Sequence, residues 1–150
     1  MKYFPYLFFA LFLCCDSTTT TFDTEDFSIS YPKNWEMANE DGGVYNFYPI
    51  EDYGAVSISV QKRVDLPMEL TKKYILELHY VNGDPDLVEM TKKGDQTEFY
   101  FEAIEDNVIW VTKVIRKNSD FYLLTINCEE SKWKLEKGQF LQVMNSVKIK

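Results

Sequence analysis

The sequence predicts an α+β fold in which antiparallel strands dominate and two helices accompany them. Three observations carry this. Segments that alternate apolar and polar residues recur along the chain, the clearest being AVSISVQKR at 55–63, as half-buried strands require. Four such segments between 87 and 128 are joined by turns of two or three residues, and connections that short imply antiparallel hairpins. Helical spacing of apolar residues appears twice, near 67–80 and from 131 onward. The 150 residues suit one domain, and 45% hydrophobic with 27% charged residues is a composition that packs a core.

The first element is not part of that domain. Lys2 is the only charge before Asp16, and YFPYLFFALFL at 3–13 is almost wholly apolar. Eleven residues fall short of the roughly 20 that a membrane-spanning helix needs, and fit the short apolar region of a secretory signal. An ordinary signal ends at small residues, whereas this one ends at Cys14-Cys15. It resembles the bacterial lipoprotein signal, in which a cysteine thiol receives a diacylglyceryl group and the chain is cut just before it. Cys15 is favoured as the lipidated residue, because small Cys14 then precedes the cut. Cys14 is the alternative, which restores a Leu at the start of the motif but places bulky Leu13 at the cut. Two or more acyl chains would anchor the protein stably. The expected organisation is a signal at 1–14, a polar tether at 15–25 reading mostly DSTTTTFDTED, and a domain at 26–150.

Within the domain, FSISYP (27–32) reads as a strand that Pro32 ends, with PKNW as the following turn. VYNFYP (44–49) is a second short strand, and Val56, Ile58 and Val60 supply the buried side of a third. Leu66-Pro67-Met68-Glu69 starts a helix, with Pro at an early position and an acid near the positive end of the helix dipole. Leu70, Tyr74 and Leu78 form its apolar stripe, and Asn82-Gly83-Asp84-Pro85 breaks it. Strands at 87–93, 96–105, 108–117 and 121–128 follow. Ser131 is the expected N-cap of a last helix whose apolar face holds Trp133, Phe140, Leu141 and Met144, and SVKIK (146–150) adds a final short strand.

In this order, an opening Phe27-x-Ile29-x-Tyr31-Pro32-x-x-Trp35 and a closing Ser146-Val147-Lys148 are similar to the PsbP-like, or Mog1/PsbP, superfamily, over roughly residues 26–150. The resemblance implies a central antiparallel sheet flanked by helices, an α/β/α sandwich, with Trp35 folding back over the sheet edge. It also implies a non-enzymatic accessory or binding domain, since plant members assist the oxygen-evolving centre and one eukaryotic member binds a nuclear transport GTPase.

Composition narrows function further. A net charge of −8 disfavours a nucleic-acid partner, because phosphate backbones demand a basic face. With His79 the only histidine and Cys128 the only cysteine beyond the first fifteen residues, neither a metal centre nor a catalytic Cys-His pair is expected, and no cofactor. His79 is expected to be solvated or packed at an edge, and Cys128 to be a buried, unreactive thiol. Glu98, Tyr100 and Glu102 share one strand face and are the weak candidates for a ligand site. As a carboxylate pair they would suit a divalent cation or, less readily, glycoside hydrolysis. The expected protein is a lipid-anchored lipoprotein of the bacterial cell envelope, facing the periplasm or the cell surface. Its partners would be the membrane, through the anchor, and an envelope protein. A small-ligand or cation-binding module is the alternative, and a hydrolase the second.

Overall fold

The computed structural model describes residues 18–40, 43–52, 56–64, 66–81 and 83–150. The signal segment, Cys14 and Cys15 therefore lie outside the described residues, as do Asp41-Gly42 and Asn82. The strands are β1 (Thr19–Asp23), β2 (Phe27–Pro32), β3 (Trp35–Glu40), β4 (Val44–Pro49), β5 (Val56–Val64), β6 (Glu89–Lys93), β7 (Gln96–Glu105), β8 (Val108–Lys117), β9 (Asp120–Glu129) and β10 (Lys148–Ile149). The helices are α1 (Thr71–Leu78) and α2 (Glu130–Asn145).

Strands β3 to β9 build one antiparallel sheet in the order β3-β4-β5-β9-β8-β7-β6. Its long hairpins are set by their turns. Asp106 and Asn107 take φ of +50° and +64°, so β7 and β8 are joined by two left-handed residues whose twist matches the strands. Asp and Asn tolerate that region because their short side chains bond locally. Gly94, at φ +61°, serves the β6–β7 turn. The hairpins expected at 96–105 and 108–117 form with those boundaries.

Two strands were not foreseen. Thr19–Asp23, expected as part of the tether, forms β1 and pairs with β2 from Thr19↔Pro32 to Asp23↔Ser28. Threonine is β-branched and suits a strand, and Phe22 of this segment packs against the core beside Phe27 and Tyr45. Trp35, expected in a turn, instead opens β3, where it is buried against Phe140. β1, β2 and β10 make a second, three-stranded sheet, so the architecture is two sheets rather than one.

The large sheet separates two clusters of buried residues. On one face Val56, Ile58, Val60, Val111, Leu124 and Ile126 meet Trp133, Phe140, Val143 and Met144 of α2, together with Phe27 and Ile29 of the small sheet. On the other, Phe99, Phe101, Val114, Phe121 and Leu123 meet Ile75 and Leu76 of α1. Helix coverage is unequal. α1 has eight residues, and the sheet beyond it is polar, with the Ser57 hydroxyl donating to Asn127 (3.0 Å) and Ser59 bonded to Thr125. Among the described residues the chain is thus mostly antiparallel sheet with one helix against each face, and the α2 face is the more fully covered.

Both helices depart from expectation in detail. The buried face of α1 is Thr71, Ile75 and Leu76, whereas Leu70 and Leu78 are 46% and 38% exposed. Leu70 belongs to a 3-10 turn before the helix, and eight residues give too few turns for a four-residue repeat to fix the phase. α2 begins at Glu130, directly after β9, without a side-chain cap from Ser131. The carbonyl of Asn107 in the β7–β8 turn accepts from the Glu130 amide at 2.8 Å and satisfies one free N–H of that terminus.

Candidate functional site

Glu98, Tyr100 and Glu102 lie on β7 and face α2, because strand side chains alternate and Phe99 and Phe101 take the opposite side. Tyr100 pairs across the ladder with Lys113 of β8, and this juxtaposition brings a lysine into the middle of the face. Lys113 is 8% exposed. Its ammonium donates to Asn145 at the end of α2 (3.1 Å) and lies 3.4 Å from Glu98. Lys93 adds a 2.7 Å bond to the same Glu98 oxygen. Burial alone would raise the Glu98 pKa, but the two lysines outweigh it and hold the carboxyl below its ordinary range. Tyr100 donates to Glu102 (3.2 Å), and Lys137 of α2 reaches the same carboxylate (3.2 Å). Burial, followed by the charge of Glu102, pushes the Tyr100 phenol well above its usual value.

Glu98, Tyr100 and Lys113 line a groove of about 270 Å³ with Glu89 and Thr91 of β6 and Leu141 and Asn145 of α2. Glu102 does not line it. Sequence reasoning missed Lys113, Asn145 and the β6 wall. Lys113 had a signal, since it is the one charge inside the apolar run VIWVTKVI. Asn145 had none, because its place depends on how α2 crosses the sheet.

The groove gathers charged and polar groups, and its carboxyl is not poised as a general acid. An acid catalyst needs a carboxyl that stays protonated near neutral pH, and Glu98 is shifted the opposite way. Each candidate carboxylate already has ammonium partners from the chain itself, and among the described residues no group of His, Cys, Asp and Glu is placed to hold a metal ion.

His79 and Cys128 stand on opposite faces of the sheet. His79, just after α1, is bonded through Nε2 to Thr112 Oγ1 (2.7 Å) and packs near Phe101 and Trp110, so it is edge-packed. Its pKa lies below 6.5, because burial outweighs the charge of Glu105. Cys128 belongs to the α2 face. Burial, with Glu136 and Glu129 nearby, pushes its thiol up to about 11. A thiol held protonated is a poor nucleophile.

Among solved structures, the chain matches cyanobacterial PsbP (CyanoP) from Synechocystis sp. PCC 6803 with a TM-score of 0.65, across 89% of this chain and 93% of that one, at 14% identity. The fold is PsbP-like. A protein from Bacteroides thetaiotaomicron VPI-5482 matches with a TM-score of 0.51 at 13% identity, across 83% of this chain but only 45% of the other. LpqN, described as involved in cell envelope biogenesis of Mycobacterium tuberculosis, matches at 0.44 and 12%, across 87% and 90% of the two chains. No family model and no curated protein matches the sequence. Within the PsbP-like fold the opening residues have a plain packing role. Phe27, Ile29 and Trp35 are buried, and Tyr31 stands beside Phe47 at 5.0 Å between ring centres.

Proposed function

We propose that the chain is a lipid-anchored accessory domain of the cell envelope that acts by binding another protein. The observation that carries this is the division of its reactive groups. The histidine and the buried cysteine are kept apart by the sheet, while ionised side chains converge on one groove beside β6. β6 is an edge strand, so a partner reaching the groove also meets free backbone donors and acceptors. A PsbP-like fold, the separation of His79 from Cys128 among the described residues, and an apolar N-terminal run that ends in cysteine support an accessory role more than a chemical one. The lipid is placed on Cys15, with Cys14 as the alternative, and the anchor holds the domain at the periplasmic or outer surface of a bacterial membrane.

Two measurements test this. Growth with a labelled fatty acid should label the wild type and lose the label in Cys15→Ala. No label in the wild type overturns the anchor. A photo-crosslinker at Thr91, exposed on the groove rim, should capture a reproducible membrane-protein partner in cells, and Lys113→Ala should weaken capture. A crosslinking pattern at Thr91 no different from that at a distant exposed site overturns the binding face. A small polar ligand is the second reading, favoured by the groove's size. A divalent cation fits less well, since it would have to displace Lys93 and Lys113 from Glu98. Millimolar Ca²⁺ should leave the melting temperature unmoved, because a ligand selective for the folded state must raise it.

A further inference from the structure

We infer that the end of the domain bearing Thr18, Asn34, Ile50 and Leu135 rests on the lipid surface, with Ile50 and Leu135 entering the headgroup region. This rests on the lipid-anchor reading above and adds an orientation to it. Thr18 is already tied to the domain, its carbonyl accepting from the Lys33 amide at 3.1 Å, and β1 starts at the next residue. Three peptide units separate Thr18 from Cys15, a reach of about 11 Å at full extension. A domain of this size has a radius of gyration of about 14 Å. The leash is thus shorter than the body it holds, so the surface around Thr18 cannot stand far from the bilayer.

That surface is suited to lipid. Thr18, Asn34, Gln139 and Gln142 line a neutral groove of about 320 Å³ between the small sheet and α2. Among the described residues no carboxylate lines it, in a chain of net charge −8. Two large apolar side chains flank it. Ile50, 53% exposed, donates its amide to the Asn34 carbonyl at 3.2 Å. Leu135, 83% exposed, sits one helical turn before Gln139. Asp52, next to this rim, is neutralised by Lys132. Lys33 and Glu51 adjoin Asn34 and Ile50, one of each sign, and beside Leu135 the Lys134 and Glu136 side chains are paired with Glu130 and Lys132.

The test uses the full chain, processed in a bacterium and reconstituted into phosphatidylcholine vesicles whose acyl chains are brominated near the headgroup. Leu135→Trp places a reporter on the proposed face. Met90→Trp, 59% exposed on β6 at the far edge of the large sheet, is the control. The mass of the purified protein reads lipid attachment separately. Bromine should quench the added fluorescence of Leu135→Trp about twofold and leave that of Met90→Trp unchanged, as side chains lying a few ångströms into the interface require. Lipid present with equal quenching at both positions, or none, overturns the orientation and leaves the anchor standing. Lipid absent overturns both.

Discussion

Ser146 should stabilise this protein out of proportion to its size, and Ser146→Ala tests that. β10 pairs with β2 as Lys148↔Ser28 and Ile149↔Phe27, so the same register carries Ser146 opposite Ser30. At that point the chain is still leaving α2, and the side chain takes over from the backbone. Ser146 Oγ accepts from the Ser30 amide at 2.8 Å and is within donating distance of the Ser30 carbonyl (2.9 Å) and the Val143 carbonyl (2.7 Å). One hydroxyl thus joins the small sheet to the end of α2. Alanine would leave the Ser30 amide without a partner, a cost of about 1–3 kcal/mol when the group is cut off from water. Both serines line the groove beside Thr18, where water can enter, so the lower part of that range applies, about 1–2 kcal/mol. With an unfolding entropy near 2.1 cal/mol/K per residue for a domain of roughly 130 residues, the melting temperature should fall by about 4–7 °C. Ser30→Ala is the control. It removes a hydroxyl bonded to Thr21 at the surface and keeps the backbone amide, so it should cost about 0.5 kcal/mol or less. Thermal unfolding followed by circular dichroism reads both. Equal shifts for the two variants, or a drop below about 1 °C for Ser146→Ala, would refute the idea that the backbone bond is what matters.

The other predictions concern charge and packing. The Glu98 pKa is lowered in the fold, so its stabilisation is complete above the ordinary value of 4.5 and is lost as pH falls through the folded value. Glu98→Gln should therefore lower the urea midpoint at pH 7 and narrow the gap between pH 7 and pH 4; an unchanged gap would sink the assignment. His79 follows the same sign for a different reason, because its depressed pKa means the unfolded chain takes up a proton first as pH drops below 6.5. His79→Gln should flatten the loss of stability between pH 8 and pH 5, and a slope equal to wild type would count against it. Phe140 is fully buried beside Trp35 and Trp133, with ring centres 6.1 and 6.3 Å away. Phe140→Ala should cost about 3–5 kcal/mol and red-shift the tryptophan emission; a loss below about 1 kcal/mol would mean the core closes around the gap.

The long hairpins were legible because two local signals agreed there. Alternation marked the strands, and Gly94, Asp106, Asn107 and Asn118 marked turns that need positive φ. β3 was not legible. WEMANE has little β-branching, and its strand character comes from pairing with β4 and from Trp35 reaching α2. β1 shows the converse error, since polarity suggested a tether where β-branched threonines and one aromatic were enough for an edge strand. In α1 the type of element was readable and its phase was not, because the 3-10 turn at Met68–Leu70 moved Leu70 out of the helix. Of the candidate site, the shared face of Glu98, Tyr100 and Glu102 followed from strand periodicity alone. The lysines that decide their chemistry arrive from β6, β8 and α2, and no spacing within β7 announces them.

On the proposed anchor, the small sheet is where the tether meets the body. The described residues begin just before β1, which among them pairs with β2 alone. β2 is held in turn by Phe27 and Ile29 in the core, by Ser146, and by the two residues of β10. Ionic ties reinforce it. Lys62 of β5 bonds to Asp26 and Asp120, which raise its pKa well above the lysine range, and Lys150 reaches Asp23 at 2.9 Å. Lys62 is solvent-accessible, so these pairs position more than they stabilise. Burial of Phe27 and Ile29 must therefore supply most of the hold, and this explains why those two positions are apolar although Ser28 and Ser30 between and beside them are polar and β1 is polar apart from Phe22. A polar residue at Ile29 should loosen the small sheet from α2 and from Val111 of β8 and Leu124 and Ile126 of β9, which belong to the same buried cluster, whereas Phe99, Phe101 and Val114 lie on the opposite face of the large sheet.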